Sequence, residues 1–142
     1  MNFWHVYLRN GMVYIPVVAK TDAGFYMDIN PVKVFGKSSR RDIFEAIFAM
    51  ISKGNPRVAT PVRDEYPKPV MLKPANVKSW GAFEKSAHCF QIIKTETDFS
   101  IKYYKGASKR EIAPEMKIVK IFNLDATAEK LAGTDADLIQ LQ

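Results

Sequence analysis

Side chains that transfer protons, attack carbonyls or bind soft metals are scarce in this chain, which has two histidines, His5 and His88, and one cysteine, Cys89. His88 and Cys89 are neighbours, so on a strand they point to opposite faces and cannot form a dyad with each other. A dyad of Cys89 with His5 is geometrically allowed, but no spacing supports it. A buried thiol beside a hydrogen-bonded histidine is the simpler account. Neither CxxC nor HxxxH spacing occurs, which predicts no zinc site. Asp64 and Glu65 stand beside Arg63 and Tyr66, where paired acids can do acid–base work. Local salt bridging to Arg63 or Lys68 explains them more simply. Asp22 and Asp28 flank a turn, and turn chemistry accounts for Asp22. The seven glycines are spread singly, without a GxGxxG or phosphate-loop pattern, so no nucleotide cradle is expected. The prediction is a protein that is not an enzyme, with no cofactor and no metal.

Charge is the more asymmetric feature. Twenty-one Lys and Arg against fifteen Asp and Glu give a formal +6. Residues 1–123 carry 20 basic and 11 acidic side chains, a net of +9, while 124–142 carry one and four, a net of −3. Such a body attracts acidic partners at long range. Its cations are scattered, however, with Arg40-Arg41 and Lys109-Arg110 as the only adjacent pairs, short of a dedicated nucleic-acid patch. Tyr14, Tyr26, Tyr66, Trp80, Tyr103 and Tyr104 supply rings for base stacking, with Arg57, Arg63, Lys68, Lys73 and Lys78 for phosphates. Nucleic-acid binding is therefore the alternative function.

The elements that must position these groups follow from periodicity. Residues 3–8 and 12–19 are rich in aromatic and β-branched side chains, and Asn10-Gly11 between them is a type I′ hairpin signal. A turn at Thr21-Asp22-Ala23-Gly24 leads into a third strand, which Pro31 interrupts. Pro16 inside the second strand predicts an edge or a bulge. Ile43, Phe44, Ile47, Phe48 and Ile51 recur on one face of a helix over 40–52, with a serine cap before it and Gly54 and Pro56 to stop it. Further strands are expected at 89–95, 99–105 and 117–122, a short helix at 79–86, and a last helix ending at Gly133. The fold class is α+β, a mainly antiparallel sheet of two three-stranded meanders packed by one long amphipathic helix and shorter helices.

Between the two halves lies a different segment. Residues 55–76 hold five of the eight prolines. Proline fixes φ and removes donors, so the segment is predicted to be an ordered, extended loop rather than a helix or central strand. Its apolar side chains tie it to a single domain spanning 1–142. It presents Arg57, Arg63, Tyr66 and Lys68, with Trp80 close behind, residue types that dominate interface hot spots. These five are the predicted partner-binding residues.

The longest uncharged apolar stretch, 12–19, has eight residues, against the ~20 that span a bilayer. No secretory signal opens the chain, and a single cysteine suits a reducing compartment. A cytoplasmic protein with no membrane partner is expected. The segments Val13-Tyr14-Ile15-Pro16-Val17, Gly24-Phe25-Tyr26, Gly54-Asn55-Pro56, Tyr66-Pro67-Lys68-Pro69-Val70 and Val77-Lys78-Ser79-Trp80 resemble those of an uncharacterised family of small bacterial proteins. In general build the chain is also similar to the immunity proteins of bacterial toxin systems, which are small, cytoplasmic, α+β and non-enzymatic. The resemblance carries over no functional residue. It implies a protein-binding module, one form of which neutralises a toxin domain through an acidic partner surface.

Overall fold

The computed structural model describes residues 1–96, 98–105 and 120–123. The helix and closing tail expected beyond 123 lie outside the described residues, as does most of the connection before the last strand. The chain is α+β. Strands β1 (Asn2–Arg9), β2 (Met12–Thr21) and β3 (Tyr26–Gly36) precede helix α1 (Arg40–Lys53) and a short strand β4 (Arg57–Val58). A 3-10 turn (Arg63–Glu65), helices α2 (Leu72–Ala75) and α3 (Trp80–Glu84), and strands β5 (His88–Lys94), β6 (Asp98–Lys105) and β7 (Lys120–Asn123) follow. The expected two meanders are one sheet, in the order β3-β2-β1-β5-β6-β7, with β4 added to β2. The join is β1. Its backbone groups are buried among neighbours on both edges, so it needs a partner on each, and it pairs with β5 from Asn2 opposite Lys94 to Leu8 opposite His88.

The hairpin forms where Asn10-Gly11 allows it, with φ of 51° and 76° at the two residues. The ladder between β1 and β2 is short. It runs from Arg9 opposite Met12 to Tyr7 opposite Tyr14 and stops. Just beyond, the register of β2 against β3 shifts between Pro16 and Val17. Pro16 and Val17 are consecutive but face Val32 and Ile29, so the two extra residues of the bulge, Asn30 and Pro31, belong to β3. The alternation of β2 also changes across this point, so that Val13 and Ile15 before it and Val18 after it enter the same core. The expected interruption falls at Pro31: the ladder skips Asn30 and Pro31, and β3 resumes beyond them on the outer edge of the sheet, where a missing donor is tolerated.

Asn55 fills the gap so created. Continuing the hairpin register would set Phe3 opposite Val18, and the Asn55 side chain lies between them. Its amide donates to the carbonyls of Phe3 and Val18 at 2.8 and 2.9 Å, and its oxygen accepts from the Phe3 amide at 3.1 Å. One side-chain amide thus stands in for a missing peptide unit. Past it, β4 runs parallel to β2, with Arg57 beside Lys20 and Val58 beside Thr21.

Helix α1 covers one sheet face. Ile43, Ala46, Ile47 and Ile51 are buried against Trp4, Val6, Leu8, Val13, Ile15, Val18, Phe90 and Ile92. Phe48, expected on the buried face, is 43% exposed; the apolar stripe is narrower than the periodicity implies. The helix ends at Gly54 with φ 73°, as anticipated. Ser39 is the N-cap residue but makes no side-chain cap, whereas Ser79 caps α3 by accepting from the Ala82 amide at 3.1 Å. On the opposite sheet face a smaller core gathers Tyr7, Tyr14, Met71, Phe83 and Ala87.

Replacing Asn55 with alanine leaves one amide and two carbonyls of partly buried backbone without their partner. At ~1–3 kcal/mol for an orphaned group, with water reaching some of them, the expected loss is about 2–3 kcal/mol. Urea unfolding of Asn55→Ala against the parent measures it, with an unchanged m-value.

Candidate functional site

The proline-rich segment is a strap tied down at both ends. At its start, the Lys20 amide donates to the Pro56 carbonyl at 2.8 Å and the Asp22 amide to that of Val58 at 3.1 Å. The Thr60 hydroxyl accepts from the Ala23 amide at 2.8 Å. At its end, Met71 is wholly buried in the smaller core. Helix α2 corrects the expectation that this segment holds no helix. It is a single turn, and Pro74 is tolerated there because first-turn amides need no intrahelical acceptor.

Between the anchors, Arg63, Tyr66 and Lys68 are exposed. Tyr66 keeps 53% of its surface while stacking on Phe25, with ring centres 6.4 Å apart. Arg57 lies exposed on β4. Trp80 is half-buried, stacked on Phe83 at 5.2 Å and edge-on to Tyr7 at 5.9 Å. Of the five predicted residues, the structure brings Lys68 and Trp80 to one cleft; Arg57, Arg63 and Tyr66 stand outside its lining. The aromatic residues weighed for base stacking are partly consumed by packing. Tyr14 is buried and Tyr26 donates its hydroxyl to the Met1 carbonyl at 2.7 Å.

The cleft has a volume of about 270 Å³, with Tyr7, Met27 and Asp28 from the sheet, Pro67, Lys68, Pro69, Val70 and Met71 from the strap, and Trp80 from α3. Beneath it lies a polar group that sequence reasoning missed. Phe3, His5 and Tyr7 alternate along β1 and share the face away from α1. Asp28 of β3 reaches two of them: the Tyr7 hydroxyl donates to Asp28 Oδ2 at 2.7 Å, and His5 Nδ1 meets Asp28 Oδ1 at 2.9 Å. Only the same-face spacing of Phe3, His5 and Tyr7 was visible as a signal. Asp28 was not, because Pro31 marks the interruption of β3 but not where the strand then lies.

Burial raises the Tyr7 phenol well above its ordinary value of 10.0, and the charges of Asp28 and Cys89 push the same way. Tyr7 therefore stays a neutral donor, clamped by Phe83 edge-on at 5.5 Å. The His5–Asp28 pair orients an imidazole, as acid–base pairs do. Its neighbours across β5 are Gln91 opposite His5 and Cys89 opposite Tyr7, so thiol and imidazole are diagonal on one face. Among the described residues, no group of three or more His, Cys, Asp or Glu side chains could hold a metal ion. No helix among them is long and apolar enough to cross a membrane.

Tyr7→Phe deletes a hydrogen bond to a carboxylate, and the expected cost at neutral pH is about 1.5–3 kcal/mol. The pH dependence has a definite sign. Because the folded pKa lies above the unfolded one, the unfolded chain loses its Tyr7 proton first. Stability is full below about pH 10 and falls as pH rises from there towards the folded pKa. Thermal melts at increasing alkaline pH should show that fall in the parent and a shallower one in Tyr7→Phe.

No protein-family model matches the chain, and no curated protein matches it. Its fold is similar to that of a protein of unknown function, NMB0488, from Neisseria meningitidis, with a TM-score of 0.63 over 98% of this chain and 94% of that one, at 12% identity. At that identity the likeness is one of fold alone.

Proposed function

We propose that this protein is a non-enzymatic protein-binding module whose recognition surface is the proline-rich strap with Trp80. One observation supports the reading above others: the strap is anchored at both ends while Arg63, Tyr66 and Lys68 between the anchors remain exposed. A surface fixed before binding loses little conformational entropy when a partner arrives. Arg63 makes bidentate contact with a partner carboxylate, and Tyr66 and Trp80 give apolar anchorage. Arg57 and Lys68 complement an acidic partner surface and speed encounter. One concrete form of this function is immunity, with the protein neutralising a bacterial toxin domain in the cytoplasm.

The double substitution Arg63→Ala with Tyr66→Ala is expected to abolish partner capture, by affinity purification from native lysate, while the melting temperature stays within a few degrees. Loss of capture through unfolding would instead make these residues structural. A salt titration separates the nucleic-acid alternative: oligonucleotide binding that falls steeply with ionic strength would replace the protein-binding reading.

A further inference from the structure

The cleft under the strap has chemistry that the exposed cations do not share. Its lining is apolar or aromatic apart from Asp28, Lys68 and the Tyr7 hydroxyl. Asp28 is held by two donors, one on each oxygen. A carboxylate has about four acceptor sites, so two remain for an incoming donor. Tyr7, held neutral, satisfies one of these oxygens without cancelling the charge on Asp28. Beside it Trp80 and the rings of Pro67 and Pro69 form flat apolar walls.

Size decides the class of occupant. At about 270 Å³ the cleft falls just below the ~300 Å³ at which small-molecule sites begin, enough for one long side chain rather than a nucleotide. A planar, weakly hydrated cation that stacks on aromatic rings and donates in pairs to a carboxylate suits such walls better than a compact ammonium. We infer that the cleft formed by Asp28, Tyr7, Trp80 and the Pro67–Met71 stretch of the strap takes an arginine side chain of the protein partner. The inference rests on the protein-binding reading and adds to it a single basic anchor set within an otherwise acidic partner surface. Lys68, exposed at the rim, opposes a cation there and tunes its affinity.

The test uses the full chain, labelled with nitrogen-15, titrated with N-acetylarginine amide and, in parallel, with acetate and with uncharged N-acetylnorleucine amide. Saturable shifts at the Trp80 indole and at the amides of Asp28, Lys68, Val70 and Met71 are expected with the arginine probe alone. Asp28→Asn should weaken that binding by about tenfold. Lys68→Ala, an exposed change, should tighten it by about threefold, as removal of a like charge at the rim predicts. Absence of saturable shifts in both the parent and Lys68→Ala would overturn the assignment, as would equal binding of acetate or norleucine amide. Partner capture lost in Arg63→Ala with Tyr66→Ala, with arginine binding intact, separates failure of the cleft from failure of the strap.

Discussion

The structure turns on a proline in a strand that has to pair on both sides. Pro16 supplies no amide, the register slips beside it, and β2 leaves β1 after Tyr14. A parted pair of central strands exposes backbone groups to the interior, which costs free energy unless something else bonds them. The residues after α1 do so. Gly54 turns the chain with a positive φ, Asn55 inserts its side chain between Phe3 and Val18, and β4 takes the edge of β2 beyond. Every part of this repair lies within five residues of the helix end, so the helix stop and the healing of the sheet are one event.

The strap inherits its anchorage from that repair. Its first residues are already committed to β2 by the time the prolines begin, and Met71 fixes the far end. A segment held at two points and stiffened by imino rings between them has few conformations left to lose. The aromatic cluster beneath supports the second anchor. Phe83 meets Tyr14 at 5.6 Å and Tyr7 at 5.5 Å, both edge-on, and such pairs are worth about 0.5–1.5 kcal/mol each beyond the area they bury.

Much of the frame was legible in the sequence where a residue has few conformational choices. Asn10-Gly11, the Ile43/Ile47/Ile51 spacing and Gly54 each specify a local geometry, and each forms as read. Phe48 shows where periodicity ends as a guide: an apolar residue at the right spacing stays 43% exposed. The joining of the strands into one sheet was not legible, since β1 and β5 are brought together by a connection of nearly eighty residues. Nor was the Asp28 site. Its members are separated by 21 and 23 positions, and Asp28 lies just before the two residues that β3 carries in excess. Pro16 announced a bulge or an edge, but its direction is a property of the packed sheet.

The result is a carboxylate in the cleft of a basic protein. Cations on the strap are free to extend into water and keep most of their hydration, so they shape the long-range field at little cost. Asp28 has a side chain only 16% exposed, and a partly desolvated charge needs donors close at hand. A lysine or arginine in that position would neutralise it. A phenol held neutral by burial instead satisfies one oxygen without erasing that charge, and the His5 ring meets the other. The same two contacts therefore make a partly buried acid tolerable within a basic body.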